Sequence, residues 1–312
     1  MKLNFLIPAF NEELNVTELY NRINALPELK EYDCTYIFID DGSTDGTLEN
    51  IRQLKSNDNR INYISFSRNF GHQAAIRAGI DYADGDLMIM MDADLQHPPE
   101  LISEMLHKWK DGFNIITTKR IDLIKLPLLK RITSGLFYKL LNWISDIKLD
   151  PGTADFRLID HKVASLIKKS NEVDIFFRGY ISWVGFRQYQ LQYHSNARFS
   201  GKTKYSLQKM FNLAINGITS FSIKPLRIAV VLGLLFSFSA FLYAVYVLYM
   251  VIFTDKTIQG WPSVIFSVLF LGGIQLLVIG ILGEYLGKLF LQAKGRPSYV
   301  VADTSLHFHY DR

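Results

Sequence analysis

Leu87-Met88-Ile89-Met90-Met91 runs straight into Asp92-Ala93-Asp94-Leu95-Gln96-His97-Pro98. The apolar run is too short for a core helix and shows no polar alternation, so it reads as a strand buried on both faces. Such strands belong to parallel sheets covered by helices. The flanking sequence supplies those helices: His72 to Ala83 on one side and Pro99 to Trp109 on the other. Further out, Leu3 to Ile7 (ended by Pro8), Tyr36 to Ile39, Ile61 to Phe66 and Asn114 to Thr118 are similar apolar runs, and Thr44 to Leu54 reads as a helix. Asn11 is placed to cap a helix whose apolar positions Val16, Leu19, Ile23 and Leu26 recur at helical spacing. The alternation predicts an α/β fold with a Rossmann-like, mostly parallel sheet.

In open sheets of this kind, ligands bind beyond the carboxyl ends of the strands. The polar clusters fall there: Asn11-Glu12-Glu13, Asp40-Asp41, Ser67-Arg68-Asn69, Asp92-Ala93-Asp94 and Lys119-Arg120. Five strand ends on one edge weigh more than any single motif. Asp92 and Asp94 are hard oxygen ligands suited to Mg²⁺ or Mn²⁺, and Gln96 can add a neutral oxygen. A lone Asp-x-Asp is common and is usually just solvated; the buried strand before it separates this one from chance. Asp40-Asp41-Gly42-Ser43-Thr44-Asp45-Gly46-Thr47 reads either as an ordinary strand-to-helix turn, with Ser43 or Thr44 capping, or as a nucleoside contact through the paired aspartates.

The pattern changes after residue 122. From Leu123 to Leu149, Leu126, Leu129, Ile132, Leu136, Leu140 and Ile144 belong to an apolar stripe, with Lys125, Lys130, Arg131, Lys139 and Lys148 supplying charge. Two readings stand, a basic amphipathic pair on a membrane surface or an ordinary core-facing helix. Ser206 to Ser222 is amphipathic again. Leu226 to Phe253 and Ser263 to Leu282 are long apolar runs, each at or above the roughly 20 residues that cross a bilayer. Lys202, Lys204, Lys209, Lys224 and Arg227 precede the first, and Lys288, Lys294 and Arg296 follow the second, so the positive-inside rule puts both ends in the cytoplasm. The loop Arg198-Phe199-Ser200-Gly201-Lys202-Thr203-Lys204-Tyr205 serves either to pair phosphate or simply to supply that charge.

Bulk properties agree with a soluble part joined to a greasier one: 49% apolar and 21% charged residues in 312, with a mean hydropathy of +0.09. A net charge of +4 gives no argument for nucleic acid, and one cysteine, Cys34, excludes an intrachain disulfide. Met1-Lys2-Leu3-Asn4 opens no long apolar stretch, so the first domain is expected to stay in the cytoplasm. His72, His97, His107, His161, His194, His307 and His309 lack metal-ligand spacing and receive no role.

Pro8-Ala9-Phe10-Asn11-Glu12-Glu13, the Asp40 to Thr47 run and Asp92-Ala93-Asp94-Leu95-Gln96-His97-Pro98 together resemble the family 2 glycosyltransferases of GT-A fold. Ser67-Arg68-Asn69-Phe70-Gly71-His72-Gln73-Ala74-Ala75 and Thr153-Ala154-Asp155-Phe156-Arg157-Leu158 narrow the likeness to the polyprenyl-phosphate glycosyltransferases, the group of dolichol-phosphate mannose synthase and the bactoprenol glucosyltransferases. The resemblance covers essentially the whole chain. It implies a nucleotide-binding set of Pro8, Phe10, Asn11, Glu12, Asp40, Asp41, Asp92 and Ala93, and a metal set of Asp92, Asp94 and Gln96 for Mg²⁺ or Mn²⁺. Arg120, Arg131, Arg198, Lys202 and Lys204 would face phosphates of donor or acceptor. Asp155 and Asp94 would be the catalytic carboxylates.

By this likeness residues 1–122 form the nucleotide-sugar core, 123–222 the acceptor-side and membrane-interface region that completes the catalytic domain, 223–290 a hairpin of spans at about 226–253 and 263–287, and 291–312 a cytoplasmic tail. The implied reaction is inverting transfer of one sugar, glucose from UDP-glucose as first guess, to undecaprenyl phosphate on the cytoplasmic face of a bacterial inner membrane. No Gln-x-x-Arg-Trp run of the processive synthases is present. A phosphomonoester carries about −1.5 to −2 charge near neutrality and hardly needs deprotonating, so Asp155 is expected to position the acceptor or orient Arg157 rather than act as a full base. The rival readings are transfer to a lipid hydroxyl or other membrane acceptor, and a scaffold with an inactive domain. Gly283 and Gly287 have small-xxx-small spacing and leave room for a homo-oligomer.

Overall fold

The structure is a computed structural model that describes residues 1–121, 152–172, 175–194, 218–253 and 260–306. Among these residues its centre is a mixed sheet of eight strands in the order β7-β5-β6-β4-β1-β2-β3-β8. In chain order these are β1 Lys2–Ala9, β2 Asp33–Asp40, β3 Ile61–Phe66, β4 Leu87–Met90, β5 Ile115–Arg120, β6 Thr153–Asp160, β7 Gln188–Tyr193 and β8 Val301–Thr304. Among the described residues, the catalytic region has helices α1 Val16–Asn24, α2 Thr47–Asn57, α3 His72–Tyr82, α4 Leu101–Lys110, α5 His161–Lys169 and α6 Phe177–Trp183. The expected α/β sheet is therefore present, with each predicted strand and helix of the first 120 residues found within a few residues of its expected bounds.

Two apolar layers hold it together. Leu3, Phe5 and Ile7 of β1 face α1, α2 and α4 in one core cluster, while Leu6 faces α3, α5 and α6 in the other. This alternation explains why the strand runs are almost continuously apolar: both faces are covered. α1 buries Val16, Leu19, Tyr20 and Ile23 on one stripe. α3 lies close on the sheet because of Gly79, where a Cβ would come within 3.1 Å of Ile39 Cδ1 and 3.3 Å of Leu6 Cβ.

Capping departs from expectation. Asn11 does not cap α1; it sits at φ 57° in the loop before it, and Asn15 holds the cap position. Neither Ser43 nor Thr44 caps α2, whose first N–H, that of Thr47, goes to Asp45 Oδ1 at 3.1 Å.

Strand directions are what place the site. β1, β2, β3 and β4 pair in parallel, while β6 lies antiparallel to both β4 and β5. β5 thus runs with β4, and the carboxyl ends of β1 to β5 share one edge, as the polar clusters predicted. Because β6 runs the other way, its amino end, with Thr153 to Asp155, reaches the same edge. β6, β7 and β8 are not among the strands the apolar pattern announced. β8 comes from the stretch expected to be only a tail and closes the far edge of β3 in antiparallel register.

α7 (Lys224–Phe253) and α8 (Trp261–Ala293) follow the catalytic region. Lys224–Met250 and Phe266–Ala293 have mean hydropathies of 2.4 and 2.3 and bury almost nothing inside the chain. At 1.5 Å rise, 30 residues reach about 45 Å, more than the roughly 30 Å of bilayer hydrocarbon. Their outward Leu, Ile, Phe and Val side chains are suited to lipid. Near the catalytic side, Tyr285 Oη donates to Ser222 O at 2.6 Å and Lys288 Nζ to Ser220 Oγ at 3.1 Å, tying the end of α8 to the segment that precedes α7.

Candidate active site

The first wall of the site is a pair of loops stitched together. Beyond β1, Asn11 N donates to Ser43 Oγ at 3.0 Å, and Asn11 Oδ1 accepts from Thr44 N at 2.9 Å. Glu12 N donates to Thr47 Oγ1 at 2.8 Å, and Glu13 Oε2 accepts from Gly46 N at 2.9 Å. The left-handed backbone at Asn11 is an uncommon conformation for a residue other than glycine, and residues held there cluster at ligand sites. The loops border a cleft of 530 Å³ whose walls include Phe10, Asp40, Ser43, Ser65 and Arg68. Gly42, at φ +69°, passes so near the next loop that a Cβ would come within 2.5 Å of the Arg68 backbone.

The paired aspartates have separate tasks. Asp40 lines the cleft, its oxygens accepting from Ser43 N at 3.0 Å and Ser65 Oγ at 2.8 Å. Asp41 turns away and accepts from Phe70 N at 2.7 Å and Gly71 N at 3.0 Å, fixing the loop that leads to α3. Burial pushes the Asp41 carboxyl above its ordinary value, and those amides only partly offset it. Pro8 is within β1, and Glu12 stands at the rim beside Asn15.

The second wall is the loop after β4. Asp92 Oδ1 lies 2.6 Å from His72 Nε2, at the start of α3. Burial would lower His72, but the charge and hydrogen bond of Asp92, with the charge of Asp155, together outweigh it and hold the imidazolium up to about 9; burial likewise opposes the Asp92 carboxylate, which the pairing with His72 helps keep below its usual value. Asp94 Oδ1 accepts from Gln96 N at 3.1 Å across Leu95, itself at φ 59°. Ala93 turns its methyl into the core, so it can meet a ligand only through its backbone. His97 is buried, stacked on Phe156, and its Nδ1 has no partner among the described residues.

Among the described residues, no three His, Cys, Asp or Glu side chains form a self-contained cage for a metal. Asp92, Asp94 and Gln96 are a smaller set, and it fits Mg²⁺ or Mn²⁺ on chemistry: such ions take one or two carboxylates and complete their shell with substrate phosphate and water. One oxygen of Asp92 is engaged with His72, which leaves the other for a ligand, an arrangement typical of an oriented metal-binding side chain.

The third wall is the amino end of β6. Asp155 is 9% exposed and accepts from Arg178 Nε at 3.2 Å, from Arg178 Nη2 at 2.9 Å, and from Arg157 Nη2. Burial opposes its ionisation, yet Arg178 and Arg157 outweigh that and hold the carboxyl far below the usual range. Arg157 is fully buried, and its Nε lacks a partner among the described residues. Arg120 ends β5 on this same edge, beyond β6, with its N–H on Gly152 O at 2.9 Å. Arg131, Arg198, Lys202 and Lys204, with the 123–149 stripe and the 198–205 loop, lie outside the described residues.

The structure thus brings Asp40, Asp92, Asp94, Gln96, Asp155 and Phe10 to one edge. It adds two residues that sequence reasoning missed, His72 and Arg178. A signal existed for the second: a lone arginine inside Ile175-Phe176-Phe177-Arg178-Gly179-Tyr180-Ile181 is costly unless paired.

Comparison with known proteins agrees with this architecture. Residues 5–166 match the model for glycosyl transferase family 2, and residues 224–289 match the GtrB C-terminal hairpin. The glycosyltransferase YkcC of Bacillus subtilis (strain 168) is 44% identical over 301 residues, which is 96% of this chain and 93% of that protein. A prophage bactoprenol glucosyl transferase homolog of Escherichia coli (strain K12) is 40% identical over 96% of this chain and 98% of its own length. The bactoprenol glucosyl transferase of Shigella phage SfII is 40% identical over 96% of this chain and 97% of its own.

Proposed function

The chain belongs to glycosyl transferase family 2 and carries a membrane hairpin, and from that premise we propose that it moves one sugar from a nucleotide to a polyprenyl phosphate, with inversion, at the cytoplasmic face of a membrane. Glucose from UDP-glucose onto undecaprenyl phosphate is the first assignment, supported by relatives named for glucosyl transfer to bactoprenol at 40% identity over nearly the whole chain. The observation that carries the reading is the joining of a carboxylate-rich sheet edge to a lipid-suited hairpin in one chain. Residues 1–122 supply the donor side, and residues 123–222 complete the catalytic domain. The basic residues flanking the hairpin support placing both chain ends in the cytoplasm.

Pro8, Phe10, Asn11, Glu12 and Asp40 hold the nucleoside in this proposal, with the backbone at Ala93 near it and Asp41 fixing the wall behind. Asp92, Asp94 and Gln96 would hold Mg²⁺ or Mn²⁺, which supplies positive charge to the departing diphosphate when bound. His72 orients Asp92. Arg120 stands on the edge where acceptor phosphate would arrive, and Arg131, Arg198, Lys202 and Lys204 are proposed as further phosphate partners. The acceptor oxygen attacks the anomeric carbon as the bond to the diphosphate breaks, so the nucleoside diphosphate leaves with the bonding electrons. A phosphate nucleophile arrives already ionised, and no proton needs removing.

Transfer to a lipid hydroxyl would need a base. Asp155, a candidate catalytic carboxylate, has its oxygens engaged by guanidinium groups, which disfavours that reading. The test is a panel of nucleotide sugars incubated with the membrane-embedded protein and undecaprenyl phosphate. A lipid product that releases its sugar in mild acid is expected; an acid-stable glycolipid, or no product with any donor, would overturn the assignment.

A further inference from the structure

We propose that Arg77 is a positioning residue that holds the catalytic edge in register with the membrane hairpin, a reading that rests on the proposed transfer to a lipid phosphate. Arg77 lies in the middle of α3, and its side chain is 14% exposed. Its Nε donates to both oxygens of Asp81, at 2.9 and 3.0 Å. Nη1 donates to Ser170 O at 3.0 Å and Nη2 to Lys168 O at 3.2 Å. Those two carbonyls belong to the carboxyl end of α5, where a cation is favoured. Only a planar guanidinium points donors at all three groups at once; lysine would keep the charge beside Asp81 and lose the bridge.

The partners of Arg77 reach the hairpin along two routes. On the last turn of α8, Gln292 Nε2 donates to the carbonyl of Asn171, the neighbour of Ser170. Beyond α8, Tyr299 Oη donates to Asp81 Oδ2 at 3.0 Å. Arg77, Asp81, Tyr299, the chain back to Gln292, Asn171 and Ser170 therefore close a ring. Close packing does not set the spacing here, because a cleft of 460 Å³ is lined both by His72 and Gln73 of the first turn of α3 and by Pro297 and Ser298 of the returning chain. α3 carries the ring to the chemistry. His72 stands about 7.5 Å back along the helix at 1.5 Å per residue, and it meets Asp92 Oδ1 at 2.6 Å. A phosphate on a lipid is held at one height by the bilayer, and transfer needs its oxygen about 3–3.5 Å from the anomeric carbon. The ring sets the catalytic edge at the matching height.

The full chain in nanodiscs is assayed with UDP-glucose and undecaprenyl phosphate as wild type, Arg77→Lys, Tyr299→Phe, Gln292→Ala and the Tyr299→Phe/Gln292→Ala double variant. Tyr299→Phe removes one bond of the ring and keeps the aromatic stack on Phe66, so it spares the fold. Each single variant should lower kcat/KM for undecaprenyl phosphate by about tenfold, since a misplacement of about 1 Å can cost 10²-fold. UDP affinity, read by calorimetry, should stay within about twofold, because none of the changed side chains borders the donor cleft. Hydrogen exchange should quicken in α3 and at residues 170–172. The double variant should be no worse than the weaker single one, because a ring already opened loses little by a second break.

Wild-type acceptor kinetics in Arg77→Lys or Tyr299→Phe, unchanged exchange in α3, additive losses in the double variant, or a loss that falls equally on UDP affinity and follows a lowered thermal midpoint would each overturn the inference while leaving the transfer reaction standing. A wild type that charges no lipid phosphate with any donor would overturn both.

Discussion

At the scale of single residues, the site is a set of charges whose partners decide their roles. Asp155 is the clearest case. Its folded carboxyl is depressed, because the Arg178 and Arg157 charges outweigh burial. Its contribution to stability is therefore complete above the unfolded value of about 3.9 and is lost as pH falls below it. Over the neutral range it does not titrate, so Asp155→Asn should lose activity by a factor that stays level from about pH 6 to 9; a pH–rate profile in which the variant recovers steeply with rising pH would restore a base role. Asp94→Ala should lower kcat by about 10²-fold or more, since stabilising a leaving diphosphate is worth several kcal/mol; full turnover in excess chelator would remove the metal from the scheme. Cys34 offers a control of the fold: burial pushes its thiol up to about 11, so a maleimide should label the chain only after denaturation. Asp40, Asp92 and Asp94 were legible in the sequence because each stands at or just beyond the end of an apolar run. His72 and Arg178 were not, because the partners that give them meaning, Asp92 and Asp155, lie 20 and 23 positions away and meet them only in the fold.

At the scale of elements, legibility followed burial. β1, β2, β3 and β4 are covered on both faces, so their central residues are largely apolar. β7, Gln188–Tyr193, buries fully only Leu191 and Tyr193, and nothing in its pattern announces a strand. β6 is apolar enough, but its antiparallel insertion between β4 and β5 is a long-range choice that local periodicity does not encode. At the end of β6 a single side chain secures the next element. Asp160 caps α5 by accepting from Val163 N at 3.0 Å, and its other oxygen accepts from Asn114 Nδ2 at 2.7 Å beside β5. Asp160→Ala removes the cap and strands a half-buried amide, so thermal or chemical denaturation should register a loss of about 1–3 kcal/mol. Asp160→Asn keeps an acceptor for the cap and should recover most of it. Since α5 packs against α3, which carries His72, the alanine variant should also lose activity before it loses its fold.

At the scale of the whole molecule, the chain leaves the catalytic sheet, makes the apolar hairpin and comes back. β8 covers the edge of β3, and Val300 O accepts from Ser67 N at 3.0 Å just past the end of that strand. Tyr299 stacks on Phe66 at 5.2 Å and donates to Asp81 on α3 at 3.0 Å. Arg52 on α2 pairs with Asp303 at 2.7 Å, but both ends are nearly half exposed, so that contact contributes little. The returning segment thus braces β3 and α3, which border the cleft at Asp40 and the loop at Asp92, and it also covers an edge that would otherwise be open to strand pairing with other chains. Ending the chain after Gly295 keeps both apolar helices and removes the brace. The truncated protein should still insert in membranes, should melt several degrees lower, and should show a raised KM for the nucleotide sugar, because Ser65 and Ser67 line that cleft and lose their neighbour. It should also aggregate more readily in detergent through the bare edge of β3. A truncated protein with the donor KM and melting temperature of the full chain would show that the strap is only a tail; a rise in donor KM that a separately added peptide of residues 296–306 reverses would show that the return of the chain shapes the donor site itself.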